Sequence, residues 1–536
     1  MQNYSSHPHA PAFQREQEAA ELIDVRPVLV RWRVIAVLAL VLFVGANALL
    51  GTVLFQVVGA VSITVYGLVV LARKIVQITF ARISNYRTRR IVRQPIVEAL
   101  AEEYPQLRQA AQHILDKPSH FPDFKQRIMA LLEDWYDNAI LHEGDEDPFV
   151  SDVPPGVVRM QWVERKWRDL MVRSFYGDGQ PPRWVGLVVP TFKTSALELQ
   201  RLIESLEDQT YPFIRVSIIL NENNEELKAF TYRIIKKYGG RRYVRFVEPK
   251  QGKRNAMRVG FADFLEDPDP VEYIFNVDSD SRLHPDAIAN AVRLMESDPH
   301  IGCITGNIKV ANADVNLLTN LTYQRFFYAF DVERAAQNLW YSVTCMSGAF
   351  MGVRADLMRY ILKPWSTQKF LGQACNYGDD RHLATLTLKL GLKSAYSPDS
   401  LSYTDVPHEM SVWKKQQTRW ARSAWRETLI TLPWVHKLPL WIVFETAYLL
   451  LFPFILWGII ASIIYRAVVN GPQLLVPYLI VVFLVNFIFY SCYAILSTRE
   501  FRFVSSPLYL LYQFRYLQPL RLWALISLDQ TKWGTK

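Results

Sequence analysis

The chain has 536 residues, of which 50% are hydrophobic, 13% aromatic and 21% charged, a balance that excludes a disordered or collagen-like protein. Four cysteines with no CxxC pair leave neither a disulfide framework nor a zinc knuckle. The 60 Lys and Arg against 51 Asp and Glu give a net charge of +9, which suits a membrane surface or an anionic substrate.

Residues 1–30 are polar and are expected to form a mobile tail. From Val34 to Ala72 no charged side chain occurs. One helix of that length would reach about 58 Å, nearly twice the roughly 30 Å of bilayer hydrocarbon, so residues 31–74 read as a two-helix transmembrane hairpin. The stretch is too long and starts too late for a cleaved signal peptide. Arginines flank it at Arg26, Arg31 and Arg33, and a basic run from Arg73 to Arg93 follows without an acid. The positive-inside rule then puts both flanks in the cytoplasm, and the basic run reads as a solvated or lipid-facing surface, not a nucleic-acid site.

Residues 75–180 show helical periodicity and form a cytosolic helical connector without an assigned task. At Trp184 the pattern changes to strand-like runs (184–189, 215–220, 244–247, 273–277, 301–305) alternating with helical segments such as Ala196 to Leu206. Such alternation predicts an α/β domain over 181–400 with a mostly parallel sheet, which binds ligands at the C-terminal ends of its strands. Interface helices are expected over 401–440 and two further transmembrane helices over 441–498. Arg515 and Arg521 interrupt the apolar stretch after Ser505, so 499–536 reads as an amphipathic interface helix and its trailing loop. The expected protein is a multi-pass membrane protein with a cytoplasmic α/β domain.

Three Asp-x-Asp pairs occur, at Asp145, Asp267 and Asp278. Only Asp278 and Asp280 follow an apolar strand, where alternation would turn both carboxylates to one side to share a divalent cation with a diphosphate. Gly252–Lys253–Arg254 supplies the opposite charge for phosphate. Pro190 and Thr191 end the first strand, where a nucleoside would lie, and Asn221–Glu222–Asn223 ends the second. Asp379, Asp380 and Arg381 form a second acidic cluster, which could equally cap the helix that follows. Gln416, Arg419 and Trp420 share one face of a helix, and an indole beside a guanidinium suits a sugar ring next to a phosphate.

In the order VVPT, GKR, DSD, GDDR and QQTRW, the chain resembles the processive family-2 glycosyltransferases, and among them the hyaluronan synthases. The segments FDVERAAQ (330–337), CMSGAF (345–350), QKFLGQACNYGDDRHL (368–383) and WGTK (533–536) carry the same resemblance. It implies a GT-A-type domain that transfers sugar from UDP-sugars with inversion, using Mg²⁺ or Mn²⁺ on Asp278 and Asp280. Asp380 would be the general base, with Asp379 as the alternative, while Lys253, Arg254 and Arg419 stabilise the departing UDP. Cys345, Ser347, Gly348, Gln416, Trp420 and Arg381 would line the acceptor site, and Trp533 to Lys536 would close over the nucleotide. Asn221 stands where the family shows an acid for uracil, and Glu222 is its candidate substitute.

The implied partners are UDP-sugar donors, a growing polysaccharide and the lipid bilayer of the plasma membrane, with no nucleic acid. Hyaluronan, from UDP-GlcNAc and UDP-glucuronate, is the expected product, with a chitin-type oligosaccharide as the alternative. A non-processive transferase acting on a lipid phosphate would need neither the QxxRW helix nor WGTK. A transporter would leave both acidic pairs idle.

Overall fold

The computed structural model describes residues 59–117, 121–143, 155–175, 183–192, 194–220, 224–238, 242–246, 252–471 and 487–530, together with Gln473, Ile480, Phe483 and Leu484. The expected tail, most of the N-terminal hairpin, Asn221, Glu222 and the WGTK segment lie outside these residues.

Helix α1 (Gly59–Glu103) leads from the apolar stretch into a helical layer completed by α2 (Arg108–Asp116), α3 (Phe121–Glu143) and α4 (Pro155–Arg173). This layer packs on the α/β domain through apolar side chains such as Ile96, Leu100, Phe124, Trp167 and Leu170, all 1% exposed or less. Polar contacts fix the position of α1. Arg93 on α1 lies 2.8 Å and Arg89 3.1 Å from the buried Asp399. Ser84 and Thr88 accept from the Asn338 amide at 3.2 and 3.0 Å.

The α/β domain begins at β1 (Val185–Thr191), followed by α5 (Ala196–Glu207), β2 (Ile214–Leu220), α6 (Glu225–Tyr238) and β3 (Arg242–Phe246). Helix α5 starts with a capping box: Ser195 accepts from the Glu198 amide, and Glu198 reaches back to the Ser195 amide. Next come α7 (Gly252–Leu265), β4 (Tyr273–Asn276), β5 (Ser281–Leu283), α8 (Ala287–Glu296) and β6 (Ile301–Val310). Helix α9 (Leu317–Phe327) runs through a π-helical segment, Tyr328–Arg334, into the short α10 (Ala335–Asn338). The domain closes with β7 (Met351–Arg354), α11 (Ala355–Ser366), a small hairpin of β8 (Lys369–Phe370) and β9 (Gln373–Ala374), α12 (Asp379–Lys389) and β10 (Lys393–Thr404).

The sheet order is β3-β2-β1-β4-β7-β6-β10-β5. Neighbours are parallel from β3 to β4 and between β6 and β10; β7 and β5 run antiparallel to theirs. This is a GT-A-type domain. The central strands β1 and β4 are buried at every residue, as a parallel sheet covered on both faces requires. Gly260 lets α7 sit directly on β1: a Cβ there would lie 2.4 Å from Val188. That close approach brings the N-terminus of α7, and Lys253 with it, to the C-terminal edge of the sheet.

Beyond the domain, α13 (Met410–Thr431) is followed by α14 (Leu440–Asn470), α15 (Tyr493–Thr498), α16 (Leu508–Tyr512) and α17 (Gln518–Ile526). Among the described residues α14 alone is long and apolar enough to cross a membrane, through its stretch Leu440–Trp457. The segment from Ser505 is two short helices joined by the π-helical Gln513–Leu517.

Candidate active site

The C-terminal edge of the sheet opens into one cavity of about 1770 Å³ that runs from Thr191 on β1 to Leu456 on α14. At one end Pro190 and Thr191 form the wall, and the Thr191 hydroxyl donates to the Ile219 carbonyl at 3.1 Å.

Strand β4 stops at Asn276, so Asp278 and Asp280 do not belong to a strand, contrary to the alternation expected from sequence. They occupy a tight turn in which the Ser281 amide donates to the Asp278 carbonyl at 2.9 Å. The turn, not the pleat, presents both residues to the cavity. Two further contacts hold it: Ser279 and Thr194 share a 2.7 Å hydroxyl bond, and the Asn276 amide donates to the Gly348 carbonyl at 2.6 Å.

Lys253 pairs with Asp278. Burial disfavours the ammonium, but Asp278, Asp379 and Asp280 outweigh it and raise its pKa, so Lys253 stays charged. Gly348 faces this pair so closely that a Cβ would lie 3.1 Å from the Lys253 ammonium nitrogen. Arg254, expected beside Lys253 on the phosphate, points away from the cavity. It is 4% exposed and donates to Gln368 at 2.9 Å and to the Tyr377 carbonyl at 3.2 Å.

The second acidic pair opens α12. Gly378 sits at φ +82°, a left-handed conformation natural to glycine, and a Cβ there would lie 2.2 Å from the Ser423 hydroxyl on α13. The start of α12 is thereby pressed against α13. Trp365 donates its indole N–H to the Asp379 carbonyl at 2.9 Å. The Asp380 carboxylate accepts from the Arg381 amide at 2.8 Å and lies 3.8 Å from the Cys345 sulfur. Burial, reinforced by the neighbouring Asp379, pushes the Asp380 carboxyl up, against Arg381 and Lys253. A carboxylate so raised is poised to take a proton. Burial likewise pushes the Cys345 thiol up.

Gln416, Arg419 and Trp420 on α13 all line the cavity, as does Arg381. Burial lowers the Arg419 pKa, opposed by Asp379, Asp278 and Asp280, so this cation feels both acidic pairs. Trp420 is 38% exposed and lies 6.3 Å from the Phe326 ring, leaving an indole surface to the cavity. Cys345, Ser347 and Gly348 complete the opposite wall. Two ion pairs at the α14 end were not anticipated from the sequence: Arg325–Glu333 at 2.8 Å and Arg73–Glu445 at 2.6 Å. Burial would raise the Glu333 carboxyl, but Arg325 holds it down at about 2. The available signal was an acid within an apolar helix, as with Glu445.

The family described as "Glycosyltransferase like family 2" matches residues 181–423. Hyaluronan synthase 3 of Xenopus laevis is 30% identical over 398 residues, covering 68% of this chain and 70% of that protein. Hyaluronan synthase 3 of Homo sapiens is 35% identical over 286 residues, covering 53% of this chain and 50% of that one. Among solved structures, a mannosyltransferase from Pyrobaculum calidifontis in complex with GDP-Man and Mn²⁺ is 18% identical, with 67% of this chain and 94% of that chain covered at a TM-score of 0.45. The chain is a glycosyltransferase, and it belongs to family 2, in the group of the hyaluronan synthases.

Proposed function

We propose that this protein is a membrane-embedded, processive, inverting glycosyltransferase that builds hyaluronan from UDP-GlcNAc and UDP-glucuronate and exports it. The observation that carries the reading is the single cavity, which joins the turn of Asp278 and Asp280 to Asp380, Trp420 and the apolar helix α14. A sugar added at one end of such a cavity already lies in the route to the membrane.

In this reading Pro190 and Thr191, with Asn221 and Glu222, flank the nucleoside, and Lys253 and Arg419 neutralise the diphosphate. Asp278 and Asp280 are hard oxygen ligands on a turn, and among the described residues no third His, Cys, Asp or Glu joins them. That donor set fits Mg²⁺ or Mn²⁺, ions often held by one or two carboxylates plus phosphate oxygens. When bound, the cation would stabilise charge on the leaving UDP. Asp380 accepts the proton of the acceptor hydroxyl as that oxygen attacks the anomeric carbon. Trp420 and Gln416 hold the terminal sugar of the acceptor against the wall of Cys345, Ser347 and Gly348, with Arg381 beside the base. Trp533 and Lys536 act on the nucleotide, and Arg254 acts from behind Lys253.

The full-length protein in lipid, incubated with radiolabelled UDP-GlcNAc and UDP-glucuronate separately and together, tests the assignment. Polymer that requires both donors and is cut by hyaluronidase supports it. Polymer from UDP-GlcNAc alone that chitinase degrades replaces it with the chitin-type reading, and transfer of one sugar to lipid phosphate removes processivity.

A further inference from the structure

Beneath the cavity floor lies a cluster of charged and polar side chains of which only Arg254 has a part in the steps above. Glu427, on α13 two turns beyond Arg419, is 5% exposed, yet both of its oxygens are engaged. One lies 3.2 Å from Nδ1 of His382, the residue two positions after Asp380 on α12. The other accepts from the Gln368 amide at 2.6 Å. Gln368 in turn accepts from the Arg254 guanidinium at 2.9 Å, and Arg254 follows the Lys253 that pairs with Asp278. Arg254 and Arg426 both donate to the Tyr377 carbonyl, at 3.2 and 3.3 Å, immediately before the left-handed Gly378.

The titratable groups around Glu427 are thus His382 from α12 and Arg254 from α7, with Asp379 as the other acid near Arg254. Burial raises the Glu427 carboxyl, but His382 and Gln368 outweigh it and hold it at about 2, so it is ionised at neutral pH. Burying a carboxylate here, beside a histidine and an arginine, is expensive in desolvation, and apolar packing would serve stability as well or better. A buried network of this kind specifies geometry. It is anchored on the three segments that carry Lys253, Asp380 and Arg419.

We infer that Glu427 is a positioning residue, whose forked contacts to His382 and Gln368 set Asp380 relative to Arg419. The inference rests on the reading of Asp380 as the base. Misplacing a base by an ångström costs about 10²-fold in rate, whereas the UDP pocket itself loses no contact.

The experiment is a double-mutant cycle on sugar transfer by the full-length protein in lipid, with UDP affinity in Mn²⁺ and thermal unfolding measured for each variant. Glu427→Gln and His382→Ala should each lower kcat at least tenfold, with UDP affinity within about threefold of wild type. The double variant should be no slower than the worse single, because both disrupt one contact. His382→Gln, which can still donate to Glu427, should recover most of the rate that His382→Ala loses. Wild-type turnover in both singles, losses that multiply in the double variant, or no recovery with His382→Gln would each overturn the inference. Should Glu427→Gln not fold, the loss with His382→Ala and its recovery with His382→Gln decide the inference by themselves. Asp380→Asn is the control: if it stays active, the reading of the base has failed. If it is inactive while the Glu427 variants work normally, only the positioning inference has.

Discussion

Asp380, the proposed base, links stability to reactivity in a single side chain. Its carboxyl is raised by burial and by Asp379, so the folded protein binds this proton more tightly than the unfolded chain does. Stability associated with this group is greatest at low pH and declines as pH climbs from the ordinary carboxylate range through the raised value. Asp380→Asn should therefore raise the thermal unfolding midpoint at neutral pH while reducing sugar transfer by about 10²–10⁴-fold. A variant that loses activity but melts lower than wild type would contradict the sign. The acid limb of the wild-type rate profile should correspondingly lie above the ordinary aspartate value. Gly348 offers a second residue-level check. A methyl group there would lie 3.1 Å from the Lys253 ammonium and 3.5 Å from the Asp278 carboxylate, so Gly348→Ala pushes the ammonium back by a few tenths of an ångström at the mouth of the diphosphate site. Weakening of UDP binding by about tenfold or more is expected, read by titration with UDP in Mn²⁺.

At the scale of elements, α13 holds Gln416, Arg419 and Trp420 over the cavity while its other face packs on α17. The Trp425 indole donates to the Arg521 carbonyl at 2.9 Å, and Arg422 donates to the Ser527 hydroxyl at 3.0 and 2.9 Å. With the helix so anchored, Trp420→Ala should weaken acceptor use without unfolding the protein, and Trp420→Phe should keep part of the activity. The check is acceptor KM and chain elongation measured against unchanged UDP affinity. The strands at 185, 214, 273 and 301, the helix from Ala196 and the helical face of α13 were all legible, since apolar runs and i, i+3, i+4 spacing record burial directly. The Asp278–Asp280 turn was not read correctly. Strand alternation extrapolates past a strand end, and nothing in the local sequence marks Asn276 as the last residue of β4. Arg254 misled for a different reason: adjacency to Lys253 suggested shared work, but successive residues at a helix start diverge by about 100°. The Glu427 cluster was invisible because His382, Gln368 and Arg254 lie 45, 59 and 173 positions from Glu427.

For the molecule as a whole, the helical layer and the catalytic domain meet through a buried charge cluster. Asp399 on β10 is 3% exposed and receives Arg93 and Arg89 from α1. Removing one partner of a buried pair costs about 3–5 kcal/mol, because the charge left behind stays desolvated. Asp399→Ala should thus destabilise the protein by that amount, measured by denaturant unfolding in detergent, while Arg90, exposed opposite Asp116, should tolerate alanine nearly silently. Helix α1 meets three separate partners along its length: Glu445 at Arg73, Asn338 at Ser84 and Thr88, and Asp399 at Arg89 and Arg93. These contacts are set by rotational phase as much as by distance. One extra residue between Gln77 and Ser84 would advance everything beyond it by about 1.5 Å and turn it by about 100°. The Glu445 and Asp399 pairs could then no longer form together on a continuous helix. An insertion of four residues, which nearly restores the phase but lengthens the helix by about 6 Å, separates rotation from height: α1 acts as a keyed shaft, and its key has the pitch of the helix.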